Sequence, residues 1–452
     1  MPRNGYVLFV LILFAAAMFV GSAFSQEDEH AKDLRTLARI IAAVEQEYVS
    51  PEVEVDKLYE GAYRGVLSSL DPYTQFLSGS SENNEAARFT EDTQGEFGGL
   101  GIEIGLKDGI LTVLSPLRGT PAWEAGILAG DMILKIESKS TEGISLDEAL
   151  NKLRGKVGTD VNITIRHVNS AVDEDITLTR ETIQPKSVEA EMLDPALGIG
   201  LMRVSSFNAR VMKEMNEAID DFKEQGLKAL ILDLRGNPGG LLQEAVEMAD
   251  LFLSDGIIVS VKGRRKTFDN KYEAEPGGPL EEKQVQVVML VDEGSASASE
   301  ILAAALRDNG RALLVGARTF GKGSVQNVFD LGEGNRLKMT TARYYRPNGE
   351  PIEDRKGITP DINIPMSRDE LLALRMQERE DKLRGTYHVG GLMEEDRNGA
   401  PDEAVPDPGI PANTPEDVVD EVTPNDTERR GRVVDRQLLA AYNLLRWNPA
   451  AN

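Results

Sequence analysis

The sequence predicts a multidomain chain of mixed α+β and α/β class, and three observations predict it. Between residues 183 and 365, strand-like runs such as Leu230–Leu234 and Val285–Val291 alternate with helix patterns, as crossover helices over a sheet require. Residues 91–182 hold short β-prone runs around two helical pieces, the pattern of a small β domain. Residues 26–90 place Leu34, Leu37, Ile40, Ile41 and Val44 on one face of a 3.6-residue period, which predicts a helical region.

The chain has 452 residues, enough for two or three domains, and its 41% hydrophobic content allows sizeable cores. A net charge of -25 argues against nucleic acid, whose phosphates need a basic face. The absence of cysteine excludes disulfides, thiolate metal sites and a cysteine nucleophile; neither a metal nor a cofactor is expected. At the N-terminus Arg3 precedes an apolar run from Tyr6 to Val20, then Ala23-Phe24-Ser25 ahead of Gln26. The run is short for a transmembrane helix, so residues 1–25 read as an export signal cleaved after Ser25, with an uncleaved membrane anchor as the alternative.

In chain order, a second N-terminal helix is expected near Val55–Leu70, ended by Asp71-Pro72. This region reads as scaffold, dimer surface or lid. The small β domain should contain strands Ile110–Leu114, Met132–Ile136 and Val161–Ile165, with helices near Pro121–Ala125 and Ser145–Leu153. In the α/β region, strand Leu230–Leu234 leads through helix Leu241–Leu253 to strand Ile257–Val261. Strand Val285–Val291 leads through helix Ser297–Asp308 to strand Ala312–Val315. A charged helix is expected over 366–392, ending its clear pattern near Leu383. Residues 393–430, rich in Asp, Glu, Pro, Asn and Gly, read as an acidic disordered linker, and 431–452 hold a short helix over Arg436–Leu445.

Three constellations carry chemistry. Asp292-Glu-Gly-Ser-Ala-Ser-Ala-Ser-Glu300 lies between a strand and a helix, where free N–H groups and the helix dipole favour a developing oxyanion. Ser297-x-x-Glu300 is also a capping box, a purely structural reading. A nucleophilic serine needs a base, and His30, His167 and His388 all fall outside the α/β region. Lysine, kept neutral by burial, is the alternative. Lys322 lies in Gly316-Ala-Arg-Thr-Phe-Gly-Lys-Gly-Ser-Val-Gln326, just past the strand neighbouring the one that ends before Ser297. Consecutive strands joined by a crossover helix end on one rim of the sheet, so Ser297 and Lys322 are expected to meet there, with Gln326 orienting the ammonium. The same segment matches a phosphate-binding loop up to the lysine, but Gly323 stands where Ser or Thr should be and β-like residues follow instead of a helix. In Leu232-Asp-Leu-Arg-Gly-Asn-Pro-Gly-Gly-Leu241, Gly239 or Gly240 offers one backbone N–H for an oxyanion hole and Ala298 the other, an ordinary strand-to-helix turn being the alternative. Gly95-Glu-Phe-Gly-Gly-Leu-Gly-Ile-Glu-Ile104 is a glycine-rich entry to a strand, able to bind a carboxylate and to present an edge to an extended peptide.

Together these segments, in this order, resemble the carboxyl-terminal processing peptidases, S41-type Ser-Lys endopeptidases with an embedded PDZ domain. Ser68-Ser-Leu-Asp-Pro-Tyr73, Pro121-Ala-x-x-Ala-Gly-Ile-x-x-Gly-Asp131, Leu153-Arg-Gly-Lys-x-Gly-Thr159, Thr341-Ala-Arg-Tyr-Tyr-x-Pro-Asn-Gly349 and Gly357-Ile-Thr-Pro-Asp361 extend the resemblance over about residues 32–365. It implies a PDZ domain over 91–182 and an α/β core of the ClpP/crotonase type over 183–365. It points to Ser297 as nucleophile among the serines at 295, 297 and 299, to Lys322 as base, to Gln326 as its support and to Asp308 as a further position of importance. Gly98, Gly99, Leu100, Gly101 and Ile102 become the site for a substrate's C-terminus. The implied activity is cleavage of protein substrates, met through their C-termini, by an exported enzyme in the bacterial periplasm or at the outer face of the inner membrane. A homodimer through the N-terminal helices is implied too. The rivals are a non-catalytic PDZ-bearing binding protein and a nucleotide binder.

Overall fold

The computed structural model describes residues 31–80, 84–107, 109–117, 119–168, 170–280, 285–384 and 433–446. The expected export signal and acidic linker lie outside these residues. The chain divides into two units, one of residues 1–83 with 328–339, the other of 84–327 with 340–452.

In the first unit, helix α1 covers residues 31–47 and helix α2 Val55–Ser68. Asp71 ends this helical region by accepting the N–H groups of Tyr73 and Thr74 (2.8 and 2.9 Å). The short strand β1 (Gln75–Leu77) follows and pairs antiparallel with residues 336–338. Phe76 of β1 is buried against Tyr63 of α2, with ring centroids 5.1 Å apart.

The second unit opens with helix α3 (Glu85–Gln94), which Asn84 caps through the Ala87 N–H and Gly95 closes in the left-handed conformation. Strand β2 (Phe97–Gly99) pairs with β9 (Glu181–Ile183). Between them lies a sheet in the order β3 (Ile102–Lys107), β4 (Ile110–Pro116), β5 (Met132–Ile136), β7 (Asp160–Arg166), β8 (Asp173–Thr179), with β6 (Lys139–Ser140) on β5. Helices α4 (Pro121–Glu124) and α5 (Leu146–Leu153) complete this small domain. Its core, Leu111, Val113, Ile133, Ile163 and Ile165 among others, comes from the inward-facing residues of the alternating strands.

The α/β region is built on a second sheet in the order β10 (Val188–Asp194), β11 (Ile199–Val204), β12 (Ala229–Asp233), β15 (Gln286–Val291), β16 (Leu313–Gly316), β19 (Ile362–Asn363). All are parallel except the edge strand β10. Helices α6 (Val211–Glu224), α7 (Leu242–Asp250) and α8 (Ala298–Asp308) are the crossovers. They cover the face made by Leu230, Leu232, Val287, Met289 and Val291. The alternate residues Ile199, Leu201, Ile231, Val288 and Leu290 point the other way, and their cover comes from the end of the chain: α10 (Arg436–Arg446) lays Leu438, Ala441, Tyr442 and Leu445 on them. A charged helix α9 (Arg368–Arg384) precedes it. Strands β13 (Ile257–Gly263), β14 (Asn270–Glu273), β17 (Ser324–Gly332) and β18 (Asn335–Tyr345) lie off the main sheet, β13 pairing with β14 and with residues 342–345.

Candidate active site

Strands β12, β15 and β16 are neighbours in parallel register, so the turns after them emerge on one rim. These turns carry Asn237–Gly240, Ser297 and Lys322 respectively.

Ser297 is the N-cap residue of α8 and is buried. Its backbone, φ 55° and ψ -110°, lies outside the ordinary regions for a residue with a Cβ. Such strain costs about 1–3 kcal/mol and persists only where neighbours over-determine it. Those neighbours are identifiable. The Ala296 N–H donates to Asn237 O (3.0 Å), the Ser299 hydroxyl to the same oxygen (2.9 Å), and the Ser295 hydroxyl to Leu234 O (2.8 Å). Ser297 and Glu300 stand as a capping box, with the Ser297 N–H donating to Glu300 Oε2 at 2.9 Å.

Glu300 does more than cap. It is fully buried, and its carboxylate also accepts the Lys322 N–H on Oε2 (2.8 Å), the Gly321 N–H on Oε1 (2.8 Å) and the Thr319 hydroxyl on Oε1 (2.6 Å). The backbone nitrogens of Ser297 and Lys322 thus share one oxygen, and stand no farther apart than those two bonds laid end to end. The Phe320 N–H to Ser295 O bond (3.0 Å) closes the same junction from the other side. The turn of Gly321 and Lys322 aims its N–H groups at a carboxylate of the protein itself, which is the position a phosphate would need. Gly323 leads straight into β17, where a Cβ would lie 1.6 Å from Ile352 O. The nucleotide reading fails on both counts.

The glycine turn approaches from β12. A Cβ on Gly239, at φ 99°, would lie 2.9 Å from Ser297 Cβ and 2.6 Å from Ala296 O, so only glycine lets the turns close. The Gly239 N–H donates to Asn237 Oδ1 (2.9 Å). A bridge with Phe207 uses Gly239 O and the Leu241 N–H, which turns the Gly240 N–H to the opposite side. The Gly239 N–H is thus held within its own turn, and the Ala298 N–H lies in the first turn of α8.

The remaining expected residues are placed as follows. Gln326 on β17 donates through Nε2 to Ser324 Oγ (2.9 Å) and Thr340 Oγ1 (3.4 Å), which directs its carbonyl oxygen the other way. Asp308 sits at the far end of α8, about 16 Å from Ser297 at the helical rise, in a forked ion pair with Arg346 (2.6 and 3.1 Å). This pair joins α8 to the end of β18. His167 is held in the small domain by Asp131 (2.8 Å) and Glu174 (3.3 Å).

In the small domain, β3 is an edge strand paired only with β4 among the described residues, and α5 lies against it. Gly98 and Gly99 belong to β2, in register with Thr182 and Glu181. Leu100 and Gly101 link β2 to Ile102 at the start of β3. The Gly155 N–H donates to Gly98 O (3.0 Å), fastening this turn to the C-terminal end of α5, where Arg154 stands over the Phe97 ring at 4.0 Å.

Sequence reasoning missed two features of the site. Glu300 was legible only as a cap, because its other three donors lie about twenty residues downstream. The second is the base of the glycine turn. Asp233, fully buried, is forked by Arg235 (3.0 and 2.8 Å) and touched by Arg203 (3.2 Å). Burial alone would raise its carboxyl, but the two guanidiniums more than offset that and hold it at about 2.

A strained serine at a helix N-terminus, a lysine turn bound to it and glycines facing it come together in the unit that also carries a small domain with a free edge strand. The profile of peptidase family S41 matches residues 198–364, and that of a PDZ domain residues 112–167. The carboxy-terminal-processing protease of Bartonella bacilliformis is 36% identical over 450 residues, covering 97% of this chain and 95% of its own. The carboxy-terminal processing protease CtpA of Bacillus subtilis is 37% identical over 316 residues, 69% of this chain and 65% of its own. Among solved structures, a photosystem II D1 C-terminal processing protease is 29% identical with a TM-score of 0.42, covering 73% of this chain and 92% of that one. The chain belongs to peptidase family S41, among the serine-type carboxy-terminal processing proteases that carry a PDZ domain.

Proposed function

We propose that this peptidase cleaves peptide bonds with Ser297 as nucleophile and Lys322 as general base, on substrates whose C-termini the PDZ domain binds. The observation that carries the proposal is the sharing of Glu300 Oε2 by the Ser297 and Lys322 N–H groups, which gives the two side chains a common origin on one rim. The neutral amine of Lys322 takes the Ser297 Oγ proton as the oxygen attacks the substrate carbonyl carbon. The tetrahedral oxyanion meets the N–H groups of Gly240 and Ala298. The Lys322 ammonium returns the proton to the departing amine, leaving an ester on Ser297. Water, deprotonated by Lys322, then attacks the ester carbonyl, and the Lys322 ammonium returns the proton to Ser297 Oγ as its bond to the acyl carbon breaks and the acid product leaves. Gln326 receives the ammonium on its carbonyl oxygen.

On the PDZ side, a substrate C-terminus adds to the free edge of β3, its carboxylate at the Leu100–Ile102 turn. Export and membrane tethering rest on the sequence of residues 1–25. Among the described residues no helix is long and apolar enough to cross a membrane. Exposed Tyr59, Val66 and Leu70 support a homodimer through the N-terminal helices.

Degradation of an unfolded protein tests the catalytic assignment. Wild type is expected to cleave, and Ser297→Ala and Lys322→Ala to be silent while melting within a few degrees of it. Cleavage by either folded variant would refute the assignment.

A further inference from the structure

The family profile ends at residue 364, yet the chain beyond it reaches back to the glycine turn. Five charged groups alternate in sign: Glu378 on α9, Arg203 on β11, Asp233 on β12, Arg235 in the turn after β12, and Asp435 ahead of α10. Glu378 accepts from Arg203 (3.0 Å), Arg203 and Arg235 converge on Asp233, and Arg235 Nη1 lies 2.9 and 2.8 Å from the two oxygens of Asp435. The Asp233, Arg235 and Asp435 side chains are 1%, 11% and 7% exposed, so their charges depend on one another rather than on water. Gln437 Oε1 adds a further contact to Arg235 (3.2 Å).

From Arg235 to Ser297 there is little slack. The Gly236 N–H donates to Asp292 Oδ1 (2.8 Å), the Asn237 N–H to Leu234 O (3.1 Å), and Asn237 holds Gly239 and Ala296 on its two oxygens. We propose that Asp435 is a positioning residue for acyl transfer: it anchors Arg235, and through Arg235 the turn that sets Gly239 and Gly240 against Ser297. The C-terminal helix is then a working part of the peptidase as well as the cover of a sheet face. This rests on the Ser297 reading above.

Asp435 has a second task, since its Oδ1 accepts the Leu438 N–H (3.0 Å) and caps α10. Asp435→Asn keeps a capping oxygen and removes the charge, and so separates the tasks. With the full chain on an unstructured peptide substrate, Asp435→Asn is expected to lower kcat about tenfold with KM within about twofold. Asp435→Glu, with the charge restored, should recover part of that rate. Tyr442→Phe, which removes the bond to Asp194 (2.7 Å) on the body of the same helix, should keep kcat within about twofold. An unchanged kcat in Asp435→Asn would overturn the proposal. So would equal losses in Asp435→Asn and Tyr442→Phe that follow their melting temperatures, or equal losses in Asp435→Asn and Asp435→Glu. Ser297→Ala, run alongside, reports on the underlying reading separately: if it still cleaves, the site assignment falls and this inference with it.

Discussion

Glu300 receives donors from its own turn and from Thr319, Gly321 and Lys322, and it does so in the interior. A neutral amide in its place would present an NH2 group to part of that ring of donors. Unsatisfied buried groups cost about 1–3 kcal/mol each, so Glu300→Gln is expected to melt several degrees lower. It should also lose most of its cleavage, because the same change unfastens the Lys322 turn from the Ser297 turn. A variant with wild-type cleavage rates would show that the two turns hold their geometry without this carboxylate. At this scale the sequence brought out residue types that can carry chemistry but not their partners, as the donors gathered on Glu300 show. Ser297 and Lys322 stand out because a serine without a nearby histidine needs another base. Asp308 stood out through resemblance alone, and its place is an ion pair with Arg346 at the other end of α8.

Elements were legible where periodicity is strong. Strand β5 spans Met132–Ile136 as expected, and the charged helix α9 runs one residue past the expected Leu383. Helices α7 and α8 begin one residue later than expected, because Leu241 and Ser297 are their N-caps. The docking of α10 was not read, though a physical clue existed. Parallel strands are apolar on both faces, and Ile231, Val288 and Leu290 needed a cover that α6–α8 cannot provide from the other side. The network at Asp233 ties β11, β12, α9 and α10 together, and its charge state gives it a pH signature. Its carboxyl falls from 3.8 to about 2 on folding. The stabilisation is complete above the unfolded value and disappears as pH falls through the folded one. Asp233→Asn should be about 3–5 kcal/mol less stable at neutral pH, since two buried guanidiniums lose their shared partner. That gap should narrow between about pH 4 and about pH 2. A gap constant over that range in denaturant titrations would contradict the assignment of charge.

For the whole molecule, the PDZ domain and the peptidase region lie in one unit and are linked through a short stretch of chain. The Ala209 N–H donates to Thr93 O (2.9 Å) and Arg210 Nη1 to Gly95 O (3.2 Å), beside the entry to the PDZ domain. Two residues earlier, Phe207 bridges Gly240 in the glycine turn. If substrates enter by their C-termini, peptides ending in a free carboxylate should be cut with a lower KM than the same peptides amidated. Equal KM values for the two would place substrate recognition outside the Leu100–Ile102 turn.

The central claim is that Ser297 Oγ is the nucleophile and Lys322 activates it. Covalent trapping with a fluorophosphonate, mapped by peptide mass across pH, tests it most directly. The predicted result is a single adduct on the peptide containing Ser297, forming faster as pH rises through the titration of the lysine, and absent from a folded Lys322→Ala variant. An adduct on another residue, or labelling of Ser297 that is indifferent to Lys322, would contradict it.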